Sequence, residues 1–575
     1  MLYQNDLEMP DTVRHCEEFR LKLESMGLKA EWIFVSDYIK KYGIKGLKKP
    51  GPCTNKNEDS ENSPSFSRWV SKPIDIITHK ITLEAMEAYR SLGIISCLNQ
   101  CKVKALYPGE YMRSWITHDI ETLNDYPWVE KKYFTVKRKI HLSDRIKHLL
   151  AWGANSDARG WYPMWERTVE RREALQEARM IADSAIRKFM RPGKKHAKQK
   201  YFPVIHSINL FPKTGRIIRI SENEPVDIID SKGYNLVSAV IPCAGKYEHI
   251  LYIDSLPYSR ETLVKKSALN PNFSVCAENK KEVKKGSMSL SHVNDKIIIN
   301  NSTEKMCFSI EPFKILVKRL DKSLRPCAPE GESKISVRSG KYPILCFEKQ
   351  LDYHVHYKGK FITDGKAVFA RFKFYFSAPT LVDAKIPENT SKPDFAPGGI
   401  IALLETGTKG DIIYDVPFGE TLHKNKDRCF IAALTHTICA GSDKGCLLSS
   451  AGGVQSFRVW GAKGELGMCL GRSETSGGRR KMNYSIGNDV YGVKADEDWY
   501  NEIFYGEYSQ DFVIMPFTGS WQKKNIPTQG RAFALGPRLV ESIYDPQCPA
   551  ETLYCLKPDN VMIAGAFPQD RPPNA

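Results

Sequence analysis

The spacing of hydrophobic positions changes along the chain at Pro192-Gly193. Before that break, apolar residues in 81–92 recur at close to helical spacing, and 165–189 is a long amphipathic segment with Glu and Arg at three- and four-residue offsets. Such spacing is typical of helices that bury one face. The sequence therefore predicts a small helical bundle over residues 65–192.

After the break, the hydrophobic pattern has a period of two. Alternation is evident in 204–211, 249–253 and 366–376, and the last run follows an Asp364-Gly365 pair that is typical of a hairpin turn. No segment of helical length and period is evident in this part of the chain. Residues 201–575 are therefore predicted to be mostly antiparallel sheet, as one large β-sandwich or two stacked ones.

The first 64 residues have a mixed pattern. Residues 19–26 predict a helix, Trp32-Ile33-Phe34-Val35 a short strand, and Ser36-Asp37 the N-cap of a second helix. A parallel sheet needs neighbouring strands, and helices on both faces. Either this strand docks on the rest of the chain, or residues 1–64 are the remnant of an α/β domain followed by a polar loop.

Composition fits several domains. With 575 residues, of which 42% are hydrophobic, the chain can bury two or three cores. We predict an α+β multi-domain fold with a short α/β remnant at 1–64, a helical bundle at 65–192, a basic linker at 193–200 and a β-sandwich at 201–575. No run of eighteen apolar residues and no apolar leader segment occurs, so the sequence predicts no membrane partner and leaves the compartment open.

The net charge of +17 raises the possibility of a nucleic-acid partner, because basic surfaces attract polyanions. Lys and Arg are spread along the whole chain, however, and their densest cluster runs from Arg187 to Lys200, at the predicted linker. A solvated linker is favoured over a phosphate-binding patch there, and no nucleic-acid partner is predicted.

The fifteen cysteines form no CxxC pair, which favours buried free thiols over a disulfide or zinc framework.

The most distinctive motif is Tyr414-Asp415-Val416-Pro417-Phe418-Gly419, followed by the run from Arg428 to Leu434. It resembles the sandwich motif of glycoside hydrolase family 38, the α-mannosidases. Asp230-x-Lys232-Gly233, Thr518-Gly519-Ser520-Trp521 and Asn560-Val561-Met562-Ile563 resemble further sandwich segments of that family, in the same order. The resemblance implies a galactose-mutarotase-like supersandwich and a carbohydrate substrate.

Two segments upstream also resemble family 38. Arg68-Trp69-Val70-Ser71-Lys72-Pro73 resembles the stretch that leads into the family's helical bundle, and Thr117-His118-Asp119 resembles its His-His-Asp motif, whose second His binds zinc. The resemblance implies zinc as a cofactor, with His118 as a ligand. Thr117 departs from the motif, and a helix-end His beside a capping Asp is the alternative for His118.

Aromatic residues are the natural sugar-contacting groups, because a pyranose face is partly apolar and stacks on Trp or Tyr. Trp69 and Trp115 lie in the segment that faces the catalytic barrel in the family, so the resemblance implies that they contact carbohydrate together with Asp119. A core position is the alternative for each Trp.

Two histidine positions are also candidates for metal binding. His354 and His356 share a strand face, which favours a solvated face over a metal site. His436 is interpreted as a polar residue near the core.

Catalytic residues are not assigned from the sequence. A retaining glycosidase needs two carboxylates about 5 Å apart, and the resemblance places them with zinc ligands on a barrel that the stretch before Asp11 is too short to supply. We therefore expect a chain truncated at both ends. Two hypotheses follow: a glycoside hydrolase of α-mannosidase type, of which this is the bundle and sandwich portion, or a non-catalytic carbohydrate-binding or scaffold protein. Either could form a homo-oligomer.

Overall fold

The computed structural model describes residues 18, 20–28, 41, 73–98, 106–107, 140–154, 165–189, 202–212, 214–271, 273, 276–278, 280–294, 296–302, 306–315, 333–338, 341–350, 355–380, 400–406, 410–416, 419–423, 430–450, 455–460, 465–471, 504–544, 551–553 and 556. The chain divides into two compact units, Met1–Ser60 and Glu61–Ala575.

In the first unit, residues 20–25 are helical. Arg20 and Glu24 form an ion pair of 2.5 Å one helical turn apart, and Gly27 follows with a φ of 78° that suits a helix end. The strand predicted at Trp32-Ile33-Phe34-Val35 and the N-cap predicted at Ser36-Asp37 lie outside the described residues.

The second unit begins with helices. They are α1 (Pro73–Leu98), α2 (Leu142–Ala154) and α3 (Trp165–Phe189), and a short antiparallel ribbon of β1 (Leu106–Tyr107) and β2 (Ile140–His141) precedes α2. Helices α1 and α3 include the two segments, 81–92 and 165–189, whose apolar spacing predicts a helix.

Strands and one further helix follow. They are β3 (Phe202–Asn209), β4 (Thr214–Glu222), β5 (Val226–Ile229), β6 (Val237–Cys243), β7 (Lys246–Ser255), β8 (Ser259–Ser267), β9 (Cys276–Glu278), β10 (Glu282–Lys285), β11 (Met288–Val293), β12 (Lys296–Asn301), β13 (Met306–Ile315), β14 (Lys334–Arg338), β15 (Ile344–Gln350), β16 (Val355–Thr363), β17 (Val368–Thr380), β18 (Ile400–Glu405), β19 (Asp411–Val416), β20 (Gly419–His423), β21 (Phe430–Ala433), β22 (His436–Ala440), β23 (Lys444–Ser450), β24 (Gln455–Trp460), β25 (Glu465–Gly471), β26 (Phe504–Thr518), α4 (Ile526–Leu535), β27 (Arg538–Tyr544) and β28 (Glu551–Thr552).

Two large antiparallel sheets form the main sandwich. One has the strand order β10-β11-β12-β13-β18-β25-β24-β21, and the other has the order β20-β19-β22-β23-β26-β17-β16-β15-β14-β9. Their facing surfaces share one buried cluster, to which Leu290 and Leu404 contribute from the first sheet and Phe361, Phe372 and Phe512 from the second. Each fully buried Phe stabilises the fold by about 1.5–3 kcal/mol, so this cluster is a major source of stability.

The ten-stranded sheet is buried on both faces near β17. Phe372 points into the sandwich core, whereas Phe369 belongs to a second cluster that includes Ile217 of β4 and Phe533 of α4. The second face is therefore covered by a third layer, made of α4 and the three-stranded sheet β4-β7-β6. This layer creates the cavity described below.

A smaller sandwich lies beside the main one. Its sheets are β4-β7-β6 and the five-stranded β27-β3-β8-β28, in which β5 also pairs with β8. Leu251 of the first sheet and Leu263 of the second share a buried cluster. Ile208 and Phe211, at the end of β3, belong instead to the cluster of the three N-terminal helices, which joins the helical layer to the sheet.

The predicted α+β class is confirmed, but one prediction about the sheet region is wrong. Residues 201–575 include helix α4, although no helical segment was expected there. Its ten residues are too few for a clear period, and Pro527 in the first turn and Gly530 in the interior are poor helix formers. Among the helices of the described residues, none has the length and apolar character to cross a bilayer.

Candidate functional site

The site residues expected from the sequence are not placed by the structure. Trp69, Trp115, His118 and Asp119 all lie outside the described residues, as does His354. These roles remain predictions.

His356, the second member of the predicted histidine pair, lies on β16. Its Nε2 is 2.7 Å from Oε1 of Glu348 on the neighbouring strand β15. The imidazole is half-buried and forms this ion pair when it is protonated. Among the described residues no group of three His, Cys, Asp or Glu side chains is arranged to hold a metal ion.

Asp415, in the family-like motif, is buried near the end of β19 and bonds the residues that join β21 to β22. Its Oδ1 and Oδ2 accept the Thr435 N–H at 2.9 Å and 3.0 Å, Oδ2 accepts the Thr435 hydroxyl at 2.5 Å, and Oδ1 accepts the His436 N–H at 3.1 Å. A carboxylate with this many donors fixes the backbone of the turn. The described contacts give Asp415 a structural role.

His436 is fully buried beside Asp415. Its Nδ1 is 3.6 Å from Oδ2 of Asp415 and 3.0 Å from the Thr435 hydroxyl. Burial lowers the pKa of His436 to about 4, against the opposing charge of Asp415. The imidazole is therefore neutral at pH 7, which agrees with the interpretation of a polar residue in the core.

A cavity rich in ionisable groups lies between the helical layer and the sandwich. Its volume is about 320 Å³, and it is lined by parts of α1, α3, β4, β17, β26, α4 and β27. Its acidic side chains are Glu84, Glu87 and Asp511. Its cationic side chains outnumber them and are Lys80, Arg179, Arg216, Arg219, Arg371 and Arg538.

Asp511 is the centre of one charge network in this cavity. Arg371 donates Nε to Oδ1 at 2.7 Å and Nη2 to Oδ2 at 2.8 Å, and Arg219 donates Nη1 to Oδ1 at 2.7 Å. Burial acts to raise the pKa of Asp511, but the charges and hydrogen bonds of the two arginines outweigh it and hold the pKa well below its usual range. Asp511 is therefore ionised throughout the physiological range.

Glu248 extends this network. Arg371 donates Nη1 to its Oε1 at 2.9 Å, and Lys360 donates to its Oε2. Burial acts to raise the pKa of Glu248, but Lys360 and Arg219 outweigh it and lower the pKa.

A second group of charges closes the helical side of the cavity. Glu84 of α1 accepts a hydrogen bond from Arg179 of α3. Arg538 donates Nη1 to the Glu84 carbonyl at 3.1 Å and Nη2 to Asp183. These contacts tie α1 and α3 to β27, so the cavity wall is built from charge pairs as well as apolar packing.

This arrangement suits binding better than proton transfer. A general acid must carry a proton near the working pH, whereas the low pKa of Asp511 keeps it ionised. Both oxygens of Asp511 are also engaged by arginine, and Glu84 is paired with Arg179. We therefore regard the cavity as a binding site and assign it no hydrolytic chemistry.

The sequence offered only a weak signal for this site. Arg371 belongs to an alternating run that the pattern alone assigns to a half-exposed strand. The informative feature is the run Ala367-Val368-Phe369-Ala370 before it, in which both strand faces carry hydrophobic residues, which is unusual for a strand with a solvated face. Such a pattern indicates burial on both faces and hence a buried charge.

Comparison with known proteins gives a fold. No protein-family model matches the chain, and no curated protein sequence matches it. Among solved structures, an α-mannosidase from Enterococcus faecalis V583 matches 90% of this chain and 62% of its own, with a TM-score of 0.52 and 9% identity. The chain shares the fold of that α-mannosidase. The resemblance to family 38 that the motifs indicate is thus confirmed at the level of the fold.

Two further structures match with lower TM-scores. A protein in glycosyl hydrolase family 38 from Enterococcus faecalis matches 82% of this chain and 61% of its own, with a TM-score of 0.46 and 10% identity. A putative aldose 1-epimerase from Escherichia coli K12 matches 43% of this chain and 100% of its own, with a TM-score of 0.24 and 8% identity. The chain spans about three fifths of the length of the first two structures.

Proposed function

We propose that the chain is the helical and β-sandwich portion of a glycoside hydrolase of α-mannosidase type. The observation that carries the proposal is the fold shared with the Enterococcus faecalis α-mannosidase over 90% of the chain. The sequence supports it independently, because the motif around Asp415 and the turns at 230–233 and 518–521 resemble family 38 in the same order.

The proposal includes a carbohydrate site in the segment before α2. Trp69 and Trp115 would stack on sugar rings and Asp119 would accept a sugar hydroxyl, since aromatic faces and carboxylates are the groups that bind a pyranose. His118 would contribute to zinc binding. The described residues contain no group of three His, Cys, Asp or Glu side chains arranged to hold a metal ion, and His118 lies outside them.

The first test is hydrolysis of 4-nitrophenyl α-mannoside by the purified 575-residue chain, with metal content measured on the same sample. No metal and no turnover would fit a partial enzyme or a binding module. Chelator-sensitive turnover with stoichiometric zinc would show that this chain holds a complete catalytic site. His118→Ala should then lose metal, whereas His356→Ala, which alters a histidine paired with Glu348, should keep it.

Binding provides the second test. Methyl α-mannoside binding, followed by saturation-transfer NMR, should weaken in Trp69→Ala and Trp115→Ala. Binding without turnover would fit both the partial hydrolase and the non-catalytic carbohydrate-binding protein. A folded chain with neither turnover nor sugar binding would overturn both.

A further inference from the structure

The cavity between the helical layer and the sandwich has an excess of positive charge. Six cationic side chains line it, against three acidic ones. All three acids already have cationic partners: Glu84 pairs with Arg179, Glu87 with Arg90, and Asp511 with two arginines. The excess is offset only in part, by Asp183 and Glu248 outside the lining, which pair with Arg538 and Arg371.

Several guanidinium N–H groups in this wall have no acceptor among the described residues. The Arg219 side chain is 9% exposed, and its Nη1 bonds Asp511, but its Nε and Nη2 have no hydrogen-bond partner. The nearest oxygen of Glu248 is 3.6 Å from Nε, too far for a hydrogen bond. The Nε of Arg538 is likewise buried without a partner. Buried donors that lack acceptors are rare, so each calls for an explanation.

The pKa values of the arginines support the same conclusion. Burial lowers the pKa of Arg216 to about 10, although Asp511 and Glu84 act to raise it. Burial also lowers the pKa of Arg219, despite the nearby charge of Asp511. The carboxylates of the wall therefore offset only part of the free-energy cost of desolvating these cations. An additional anion would offset more of that cost.

The remaining wall is apolar and suits a small organic ligand. Phe369 and Phe533 line the cavity and contact each other edge to face, with ring centroids 6.0 Å apart. The volume of about 320 Å³ is at the lower end of small-molecule sites. Guanidinium groups bind tetrahedral oxyanions particularly well, because their N–H groups match the spacing of phosphate oxygens.

We propose that this cavity binds a small phosphate-bearing ligand, whose charge the cationic side chains of the wall offset. Lys80, which is exposed and lines the same cavity, attracts the anion. The proposal does not rest on glycosidase activity, since the cavity contains none of the residues predicted to contact sugar or zinc.

The test is isothermal titration of inorganic phosphate into the full chain, with sodium chloride at matched ionic strength as the reference. We expect saturable binding to the wild type. Arg219→Gln removes one cation of the wall and should weaken binding about tenfold or more, as expected for the loss of a charge that attracts the anion. Lys80→Gln, a change at an exposed position, should weaken it a few-fold.

Arg145→Gln is the matched control. Arg145 is a buried arginine paired with Glu177 between α2 and α3, and it does not line the cavity. This variant should bind phosphate as the wild type does. If Arg219→Gln fails to fold, Arg219→Lys and Lys80→Gln test the same point, because both change the cavity charge or its geometry without removing a buried cation.

Absence of saturable binding to the folded wild type would overturn the proposal, as would equal affinity in Arg219→Gln. Mannose 6-phosphate and mannose distinguish the source of the ligand. Tighter binding of the sugar phosphate than of inorganic phosphate would identify a phosphorylated sugar, and equal binding would identify free phosphate. Binding of mannose as tight as that of its phosphate would show a neutral sugar site and overturn the proposal.

Discussion

Arg371 and Asp511 lie directly opposite each other on β17 and β26 and are joined by two parallel hydrogen bonds of 2.7 Å and 2.8 Å. The pair stands on the face of the ten-stranded sheet that the third layer covers. Asp511 also accepts a hydrogen bond from Arg219 of β4, at 2.7 Å. One carboxylate therefore links the central strands of the large sheet to the smaller sheet.

Asp511→Asn should destabilise the protein strongly. The substitution leaves Arg219 and Arg371 buried without this counter-charge, and breaking a buried ion pair in this way costs about 3–5 kcal/mol. Urea unfolding of the variant measures the loss. Glu507→Gln is the control, because Glu507 pairs with Lys373 on the same two strands but is exposed, and its loss should cost under about 1 kcal/mol. Equal losses in the two variants would contradict the assigned role.

Asp415→Ala should destabilise the turn before β22. The backbone N–H groups of Thr435 and His436 would lose their acceptor inside the protein, at about 1–3 kcal/mol for each. Asp415→Asn keeps one acceptor oxygen and should cost less. Asp443→Ala, which alters an exposed carboxylate that accepts only from Ser442, should change the unfolding free energy by no more than about 0.5 kcal/mol. A smaller loss in Asp415→Ala than in Asp415→Asn would count against the structural role.

The sequence predicts the local parts of this fold well. The Asp364-Gly365 turn is confirmed: Oδ1 of Asp364 accepts the N–H groups of Lys366 and Ala367, both at 2.8 Å, and Gly365 has a φ of 98°. These interactions span three residues, so the residue types alone indicate them. The turn at Asp230 is confirmed in the same way, by a 2.7 Å hydrogen bond from the Tyr234 N–H.

The cavity could not be predicted in this way. Arg371 and Asp511 are 140 residues apart in the sequence, and Arg219 and Asp511 are 292 apart. A charged residue on an alternating strand usually faces water, and only the presence of a third layer reverses that expectation. Helix α4, a part of that layer, was itself missed because Gly530 and Pro527 weaken its helical signal. The sequence therefore indicated the strands but not what covers them.

Gly530→Ala should destabilise the protein, although the same change stabilises an exposed helix by about 1 kcal/mol. A Cβ at this position would lie 2.6 Å from Cγ and 2.8 Å from Cβ of His436, which is fully buried and cannot move away. Overpacking of this kind costs about 1–3 kcal/mol. Urea unfolding measures it.

A double-mutant cycle tests whether His436 causes that loss. In a His436→Gly background Cβ and the whole ring are absent, so Gly530→Ala should become neutral or stabilising. The same cost in both backgrounds would mean that another contact is responsible, for example the hydrogen bond from Ser449 to the Gly530 carbonyl, at 2.7 Å.

Stability should fall as the pH is lowered from 7 to 5, because burial lowers the pKa values of His206, His249 and His436 in the folded state. Burial lowers the pKa of His436 and of His206 to about 4, from an ordinary value of 6.5. Their contribution is complete above pH 6.5 and is lost as the pH falls towards 4, since only the unfolded chain takes up the protons. For each of these two histidines, the free energy of unfolding should fall by about 2 kcal/mol between pH 6.5 and 5. Most carboxylates remain ionised in this range, so histidines dominate the slope.

The slope of unfolding free energy against pH, measured by urea unfolding, identifies the residue responsible. His436→Gln should reduce that slope by up to about 1.4 kcal/mol per pH unit, whatever its effect on stability at pH 7. His206→Gln should reduce the slope by a further, independent amount, since His206 lies on β3 beside Thr262 and not in the large sheet. An unchanged slope in the double variant would show that neither imidazole is held neutral. In that case the Asp415 carboxylate would have to stabilise a charged His436 in the core, and Asp415→Asn would lower the pKa at which that charge is lost.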